Sequence, residues 1–381
     1  MAKTTETLFP MRKFFAPEFV FGVGALDLAG RYARNLGASR VFLVSDPGVR
    51  EAGWVRDVEA SLEAEELPWV LFDQVSPNPQ MEEVEAGTRA FEEHRCDMIC
   101  AVGGGSPIDC AKAVSVLSTN GGNIRDYLGV DQVPQPGCPL LMIPTTAGSA
   151  AEVSQFAILS DPRARRKCGI ISKLIVPDVA LVDPRTPCSL DTHQAAGGAM
   201  DTLTHAVEAY VSNAHSPVTD LLALEAIRLV GAHFEEGIAH PARPEHRGHL
   251  LKASLLSGLA FSNASLGLVH AMAHALGGML DSIHGDSNAL LLDGVVRFNL
   301  SSATSRYARV AEALGVSPEG LIPRLRELRE LAGLGEGIAS LGATEAIIPD
   351  LVARAMADPC LVTNPRQPRP DEVAQLFREA L

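Results

Sequence analysis

The sequence predicts an α/β domain followed by an all-helical domain, and three observations support this fold class. Residues 19–185 alternate short apolar, β-branched runs with amphipathic helical stretches. From Ser189 onward no convincing strand occurs. The length of 381 residues fits two domains at roughly 150 residues each. The predicted boundaries are 1–187 for the α/β domain and 188–381 for the helical domain.

The first half contains seven runs with strand character. They are FVFG (19–22), RVFLVSD (40–46), PWVLFD (68–73), DMICAVG (97–103), PLLMIPT (139–145), QFAILS (155–160) and VALVDP (179–184). Helical windows lie between several of them, at 25–36, 51–65, 80–94 and 106–118. Continuous apolar strands that alternate with helices predict a mostly parallel sheet with helices on both of its faces.

Helical periodicity fills the second half. Ser216 and Pro217 are typical of a helix N-cap followed by proline in the first turn. The apolar spacing predicts helices at 221–230, 246–262, 267–281, 301–313, 319–331, 344–357 and 370–380.

Charge and cysteine content exclude several classes of protein. The 46 acidic and 32 basic residues give a net charge of −14, which argues against nucleic acid or an anionic membrane as the main partner. No apolar run approaches the roughly 18 residues of a membrane span, and the N-terminus has no apolar signal core. We therefore expect a cytoplasmic protein. The seven cysteines are odd in number and form no CxxC pair, which predicts buried thiols rather than disulfides or a cysteine zinc site.

A glycine-rich loop follows the run 97–102 and opens a helix. Its residues are Gly103, Gly104, Gly105, Ser106, Pro107, Ile108 and Asp109. Three glycines allow the backbone to approach an anion closely, and the N–H groups of a helix start point at it, so a pyrophosphate fits this position. The alternative is a tight turn that binds no ligand. The loop is not a GxGxxG motif, so a dinucleotide site here differs from a standard Rossmann unit.

Two further strand ends carry polar residues. Asp46 follows RVFLVS, where a carboxylate can hold a ribose 2′-hydroxyl and repel a 2′-phosphate; the alternative is a turn-forming Asp before Pro-Gly. The second segment, Pro144 to Ser149, offers hydroxyls that can contact phosphate or nicotinamide; the alternative is a hydroxyl-rich turn.

One carboxylate and several imidazoles recur at helical spacing in the second half. Asp201 and His205 are four residues apart with Glu208 nearby, and the other imidazoles belong to His270, His274 and His284. Gly285 directly after His284 suggests a turn at that position. This set is a plausible divalent-metal shell. The alternative for any one histidine is a buried helix residue, but imidazoles among Ala, Leu and Gly have few other partners, and burying them unpaired is costly.

These segments together resemble a known family. They are GGGSPIDCAK (103–112), IPTTAGSAAEVS (143–154), MDTLTHAVEAY (200–210), FSNASLGLVHAMAHALGG (261–278) with His284-Gly285, and the tail DPCLVTNPRQPRPDEVAQLFREAL (358–381). In this order they are similar to the iron-dependent (group III) alcohol dehydrogenases over almost the whole chain. The resemblance implies the dehydroquinate synthase-like fold of that family. An N-terminal dinucleotide-binding domain then faces a C-terminal metal-binding domain, with the active site between them.

The resemblance also implies residue roles. It places the metal ligands on Asp201, His205, His270 and His284, and an additional active-site histidine on His274. Its cofactor positions match Gly104, Gly105, Ser106, Asp109, Thr145, Thr146, Ser149 and Lys167. The departures are Thr202 and Ser265 for residues that are usually Ala and Gly, Asp286-Ser287 after the last ligand, and LLDG (291–294) where the family often has Pro-His.

The expected function is the interconversion of an alcohol and an aldehyde or ketone by hydride transfer with NAD(H). The resemblance favours Fe(II) as the metal, with Zn(II) as the alternative because imidazole suits both ions. It also favours a homodimer, as does the edge strand near 19–24. Two alternative functions are a dehydroquinate synthase-like lyase that uses NAD transiently and a non-catalytic metal- or nucleotide-binding protein. The lyase needs a basic cluster for its acidic substrate, and the helical half shows none near the histidines.

Overall fold

The computed structural model describes residues 11–162 and 166–381. Its strands are β1 (Glu18–Phe21), β2 (Val41–Val44), β3 (Trp69–Phe72), β4 (Met98–Gly103), β5 (Gly129–Val130), β6 (Leu140–Pro144), β7 (Phe156–Asp161), β8 (Arg166–Ile171) and β9 (Val179–Val182). Six of them form a sheet in the order β1-β9-β6-β4-β2-β3, and every pairing in it is parallel. The predicted parallel sheet is confirmed.

Helices cover both faces of this sheet. In the first half they are α1 (Ala29–Asn35), α2 (Pro47–Glu51), α3 (Trp54–Ala64), α4 (Met81–Glu93) and α5 (Gly105–Asn120). Strand side chains alternate between the two faces, so Phe42 and Val44 pack with α4 and α5, whereas Val41 and Leu43 pack with α1 and α3. The carboxyl ends of β4 and β6 lead directly into the two loops that carry predicted cofactor residues.

The run QFAILS is a strand, but it does not belong to the parallel sheet. It forms β7, which pairs antiparallel with β8 in a separate three-stranded sheet of order β5-β8-β7. Burial along β7 alternates strictly, as is typical of a half-exposed antiparallel strand rather than one covered on both faces. The strands β5 and β8 were not predicted. The first has only two residues, and the second begins with two charged ones.

The second half is helical, as predicted. Its helices are α6 (Thr192–Val211), α7 (Pro217–Ala239), α8 (Pro244–Ala264), α9 (Leu268–Leu280), α10 (His284–Asn299), α11 (Thr304–Ala313), α12 (Leu321–Leu331), α13 (Ile348–Met356) and α14 (Pro370–Ala380). Short 3-10 helices lie at Leu26–Leu28, Ile124–Tyr127, Lys173–Ile175, Thr186–Ser189, Leu300–Ser302, Pro318–Gly320, Ile338–Leu341, Glu345–Ile347 and Pro359–Thr363. Ser216 caps α7 by accepting the N–H of Thr219, as its position before Pro217 predicts.

Gly285 lies inside a helix instead of forming the turn that the sequence suggests. A Cβ atom at this position would come 2.4 Å from the backbone oxygen of Gly197. The missing side chain therefore allows α10 to approach α6 closely, and this approach brings His284 toward the ligands on α6.

Ser265 carries a backbone conformation that suits glycine. It ends α8 with φ 61° and ψ −173°, a region that residues with a side chain rarely adopt. The resemblance noted from the sequence implies glycine at this position, and the cost of the serine is on the order of 1–3 kcal/mol.

The helical half has its own apolar core, which also takes in residues of β9 and of the loop at 147–153. The predicted boundary at 187 falls in the 3-10 helix Thr186–Ser189, and this division stays a prediction. All seven cysteines are free thiols; five are buried, as predicted, and Cys138 and Cys188 are half-buried. Within the described residues, no single helix has the length and apolar character to cross a membrane. Helices α8 and α9 have sufficient length and apolar character only when they are counted together, and the chain bends by 101° between them.

Candidate active site

Three helices bring one carboxylate and three imidazoles together. Asp201 and His205 lie one turn apart on α6, His270 comes from α9, and His284 is the first residue of α10. The Asp201 Oδ1 atom is 3.7 Å from His205 Nε2 and 3.8 Å from the Nε2 atoms of both His270 and His284. The first three residues are buried, and His284 keeps 29% of its side chain exposed.

The chemistry of these four groups fits a divalent metal ion. Their donor atoms all lie within 4.8 Å of one another, and ligand atoms about 2.1 Å from one tetrahedral ion are about 3.4 Å apart. Burial lowers the pKa of all three imidazoles, well below the usual value for His270 and His284, and so favours the neutral form that binds metals. The structure therefore brings together the whole predicted ligand set.

Asn288 is a polar neighbour of this cluster that sequence reasoning missed. Its Nδ2 atom donates to Asp201 Oδ1 at 2.7 Å and lies 3.2 Å from the Nε2 atoms of His270 and His284. Asn288 follows His284 by one helical turn, a spacing that the expected turn at Gly285 concealed. Its amide orients the carboxylate toward the imidazoles.

Glu208 lies behind His270, on the side away from the cluster. Its Oε2 atom is 2.6 Å from His270 Nδ1, and its carboxylate also accepts the N–H groups of Gly267 and Val269. Burial raises the pKa of Glu208 to about 8, against the opposing effect of these backbone donors. With Nε2 facing the cluster, Nδ1–H donates to Glu208, and this bond fixes the ring in the orientation that a ligand needs.

His274 is near the cluster but is not part of it. It follows His270 by one turn of α9, and its ring stacks on that of His284 with centroids 5.4 Å apart. Its Nδ1 atom is 2.8 Å from Asp358 Oδ2. One donor atom of His274 groups with Asp358 and Cys360, and His274 is not in the group formed by the four candidate ligands.

The two loops predicted to bind a cofactor touch each other at the edge of the sheet. A Cβ atom on Gly104 would come 3.0 Å from Thr146, and one on Gly105 would come 3.0 Å from Ser149. The absence of side chains thus lets the start of α5 lie directly against the second loop. The Ser106 hydroxyl donates to the backbone oxygen of Pro77.

Asp109 lies one turn into α5 and has one carboxylate oxygen without a partner. Its Oδ2 atom accepts the N–H of Ile158 at 3.0 Å, while the buried Oδ1 atom has no hydrogen bond among the described residues. Burial raises the pKa of Asp109 to about 6. An unpartnered buried oxygen is costly, and a ligand donor at this position would satisfy it.

Lys167 interacts electrostatically with a carboxylate of each candidate group, Asp109 after the glycine-rich loop and Asp201 in the Asp/His cluster. It lies on β8, which packs closely on α9 because Gly277 has no side chain. A Cβ atom on Gly277 would come 3.2 Å from Lys167 Nζ. Burial lowers the pKa of Lys167, and the carboxylates of Asp281, Asp201 and Asp109 oppose that shift. The lysine is therefore close to both groups, although its strand was not predicted.

Asp46 caps a helix. Its Oδ1 atom accepts the N–H of Val49 at 2.9 Å, at the start of α2. The local geometry shows the turn-forming alternative for Asp46. A contact between Asp46 and a ribose stays a prediction.

The fold and this site define a class: proteins that join a parallel α/β half, with a glycine-rich loop at the end of a strand, to a helical half with a buried cluster of one aspartate and three histidines. The family model described as iron-containing alcohol dehydrogenase matches residues 16–184. The model of the C-terminal part of the Fe-containing alcohol dehydrogenase family matches residues 195–381. The chain belongs to the iron-containing alcohol dehydrogenase family, as its motifs predict.

Individual relatives agree over nearly the full length. Alcohol dehydrogenase 4 of Schizosaccharomyces pombe is 39% identical to this chain. The match covers 99% of this chain and 91% of that protein. A solved 1,3-propanediol oxidoreductase is 35% identical, covers 97% of this chain and 100% of that one, and has a TM-score of 0.94. A sulfoacetaldehyde reductase from Bifidobacterium kashiwanohense, solved with NAD⁺, is 27% identical to this chain and has a TM-score of 0.89. The match covers 98% of this chain and 99% of that one.

The class of enzyme that the sequence predicts is thereby confirmed. The chain is an NAD-dependent oxidoreductase of alcohols and carbonyl compounds, and the comparisons favour this function over a lyase or a non-catalytic protein.

Proposed function

We propose that this chain interconverts a small alcohol and its aldehyde or ketone at the cluster of Asp201, His205, His270 and His284. The observation that carries the proposal is the convergence of these four donor groups beside the two cofactor loops. A divalent ion held there supplies Lewis-acid chemistry that lowers the pKa of the alcohol hydroxyl. Membership in the family favours Fe(II), and Zn(II) is the alternative that metal analysis distinguishes.

NAD is proposed to bind along the two loops. The N–H groups at the start of α5, around Gly104, Gly105 and Ser106, hold the pyrophosphate, because a helix start carries partial positive charge. Thr145, Thr146 and Ser149 contact the cofactor from the second loop. The free oxygen of Asp109 accepts a hydrogen bond from it. Lys167 binds the nicotinamide ribose from β8.

His274 is proposed to relay the alcohol proton. It lies beside the cluster without belonging to it, and its side chain keeps 16% of its surface exposed. An imidazole at this position can accept the proton that leaves the hydroxyl and pass it outward.

The proposed activity is tested by NADH absorbance at 340 nm. Protein loaded anaerobically with Fe(II), and in parallel with Zn(II), is mixed with NAD and a panel of simple alcohols and diols. We expect net NADH formation with at least one alcohol, and its loss after chelation. Absence of turnover with every alcohol and every aldehyde, with both metals, would overturn the proposal.

Replacing Asp46 by glycine is expected to make NADP usable. The carboxylate repels a 2′-phosphate and binds the ribose hydroxyl, so its removal narrows the preference for NAD. Asp46→Asn is the matched control for the cap, because asparagine also caps helices but carries no charge. We expect both variants to shift the kcat/KM ratio of the two cofactors toward NADP. A wild-type protein that prefers NADP would show that Asp46 is only a cap.

Glu208→Gln is expected to weaken metal binding by about 10–100-fold, because a neutral amide oxygen is a weaker acceptor for Nδ1–H of His270 than the carboxylate is. Competition with a chelator of known affinity measures the change. Glu225→Gln, which alters an exposed ion pair on α7, is the control and should leave the affinity unchanged. Equal affinities for wild type and Glu208→Gln would contradict the role of Glu208.

Oligomeric state and location are also proposals. β1 lies at the edge of the sheet and exposes Phe19 and Phe21, which supports a homodimer across this edge. Sedimentation of the purified protein tests it. The seven free thiols support a reducing compartment, the cytoplasm.

A further inference from the structure

Asp358 contacts His274 from a part of the chain that supplies no metal ligand. It precedes the 3-10 helix Pro359–Thr363 and caps it, with Oδ1 accepting the N–H of Cys360 at 2.8 Å. Its other oxygen, Oδ2, is 2.8 Å from Nδ1 of His274. The side chain is only 14% exposed. One oxygen therefore anchors the carboxylate to the backbone, and the other reaches the imidazole.

This contact decides which nitrogen of His274 carries the proton. A carboxylate can only accept, so Nδ1 of a neutral His274 must be the protonated nitrogen and Nε2 the basic one. Burial alone would raise the pKa of Asp358, but His274 and the N–H of Cys360 bring it below its ordinary value, which keeps the carboxylate ionised. Stacking on His284 fixes the plane of the ring.

We propose that Asp358 is a positioning residue, which holds His274 as the Nδ1–H tautomer and thereby directs the basic Nε2 atom to the alcohol proton. The inference rests on the proposed relay function of His274. It extends that function to a residue 84 positions away in the chain.

Asp358→Asn reverses this arrangement with little change in shape. The amide oxygen keeps the contact with Cys360 N–H, because the opposite orientation would set the NH₂ group against that donor. The NH₂ group then faces His274 and donates to Nδ1, which moves the ring proton to Nε2. Asparagine is also a good cap, so the 3-10 helix retains its N-terminal hydrogen bond.

A double-mutant cycle tests the inference with the metal-loaded enzyme. Turnover at saturating NAD and alcohol is measured for wild type, Asp358→Asn, His274→Ala and the double variant. Metal content and thermal midpoint are measured on the same preparations. We expect Asp358→Asn to lower kcat about 10–100-fold with metal content unchanged. In the His274→Ala background we expect the same substitution to change kcat less than about threefold, because its target is absent.

Two further variants keep the test decisive. Asp358→Ser still caps the 3-10 helix but does not reach Nδ1, and it should show the same dependence on His274 if Asp358→Asn folds poorly. Asp220→Asn is the control, because Asp220 also contacts a histidine Nδ1, that of His215 at 3.2 Å, away from the site. It should leave kcat unchanged.

The outcomes separate this inference from the function on which it rests. Equal losses from Asp358→Asn in both backgrounds, or no loss in either, would overturn the positioning role while His274→Ala still loses turnover. If His274→Ala keeps wild-type turnover, the relay function and the inference both fail.

Discussion

His270→Ala is expected to lose its bound metal and nearly all of its turnover. His270 is buried at the centre of the cluster, where no other described side chain replaces its Nε2 atom, and Glu208 would be left without its imidazole partner. Lewis-acid stabilisation of several kcal/mol corresponds to a fall in rate of about 10³–10⁴-fold. Plasma emission after dialysis measures the metal, and NADH formation measures the turnover.

His240→Ala is the matched control, because this histidine is exposed and pairs with Glu236 at the end of α7. It should keep both metal and activity. The α/β half should stay folded in both variants, since no candidate ligand comes from its sheet. Full metal occupancy in His270→Ala would show that the ligand set is wrong.

His274→Ala is expected to keep its metal and its NAD affinity and yet lose about 10²–10⁴-fold in turnover, the usual contribution of a proton-transfer group. The reason is its position: the His274 ring stacks on that of His284, but its Nδ1 atom contacts Asp358 and not a candidate ligand. Metal content and turnover are measured on one preparation.

Two other outcomes would contradict this assignment. A modest fall in activity would mean that His274 only fills space beside α9. A loss of metal comparable to that of His270→Ala would show that the assigned ligand set is wrong. NAD affinity, measured by fluorescence of bound NADH, serves as the internal control for the cofactor loops.

The candidate ligands could be narrowed from the sequence because part of their signal is local. Asp201 and His205 are spaced by one helical turn, as are His270 and His274, but the choice of His284 over His274 came from the family resemblance and not from spacing. Three neighbours carry no such signal of their role: Glu208 and Asn288, which contact candidate ligands, and Asp358, which contacts His274. Each meets a side chain that is distant in the sequence, and only the packing of the helical half shows which atoms meet.

The small sheet shows a similar limit. The run that forms β7 was correctly predicted as a strand, but its sheet was wrong, because apolar content alone does not distinguish a strand covered on both faces from one covered on a single face. Its alternating burial depends on the partner β8, which begins with Arg166 and Lys167 and was missed. The predicted turn at Gly285 failed for a related reason: close contact with Gly197, not a turn conformation, requires the glycine there.

The pairing of β1 with β9 has a consequence for folding kinetics. Glu18 lies opposite Val179, so the first strand pairs with the last one of the α/β half, about 160 residues later. Closing so long a loop costs entropy before any contact repays it, and non-local parallel pairing folds slowly. Contacts between consecutive helices such as α7 and α8 are more local. We therefore expect the helical half to acquire its structure first, with closure of the β1–β9 edge as the slow step.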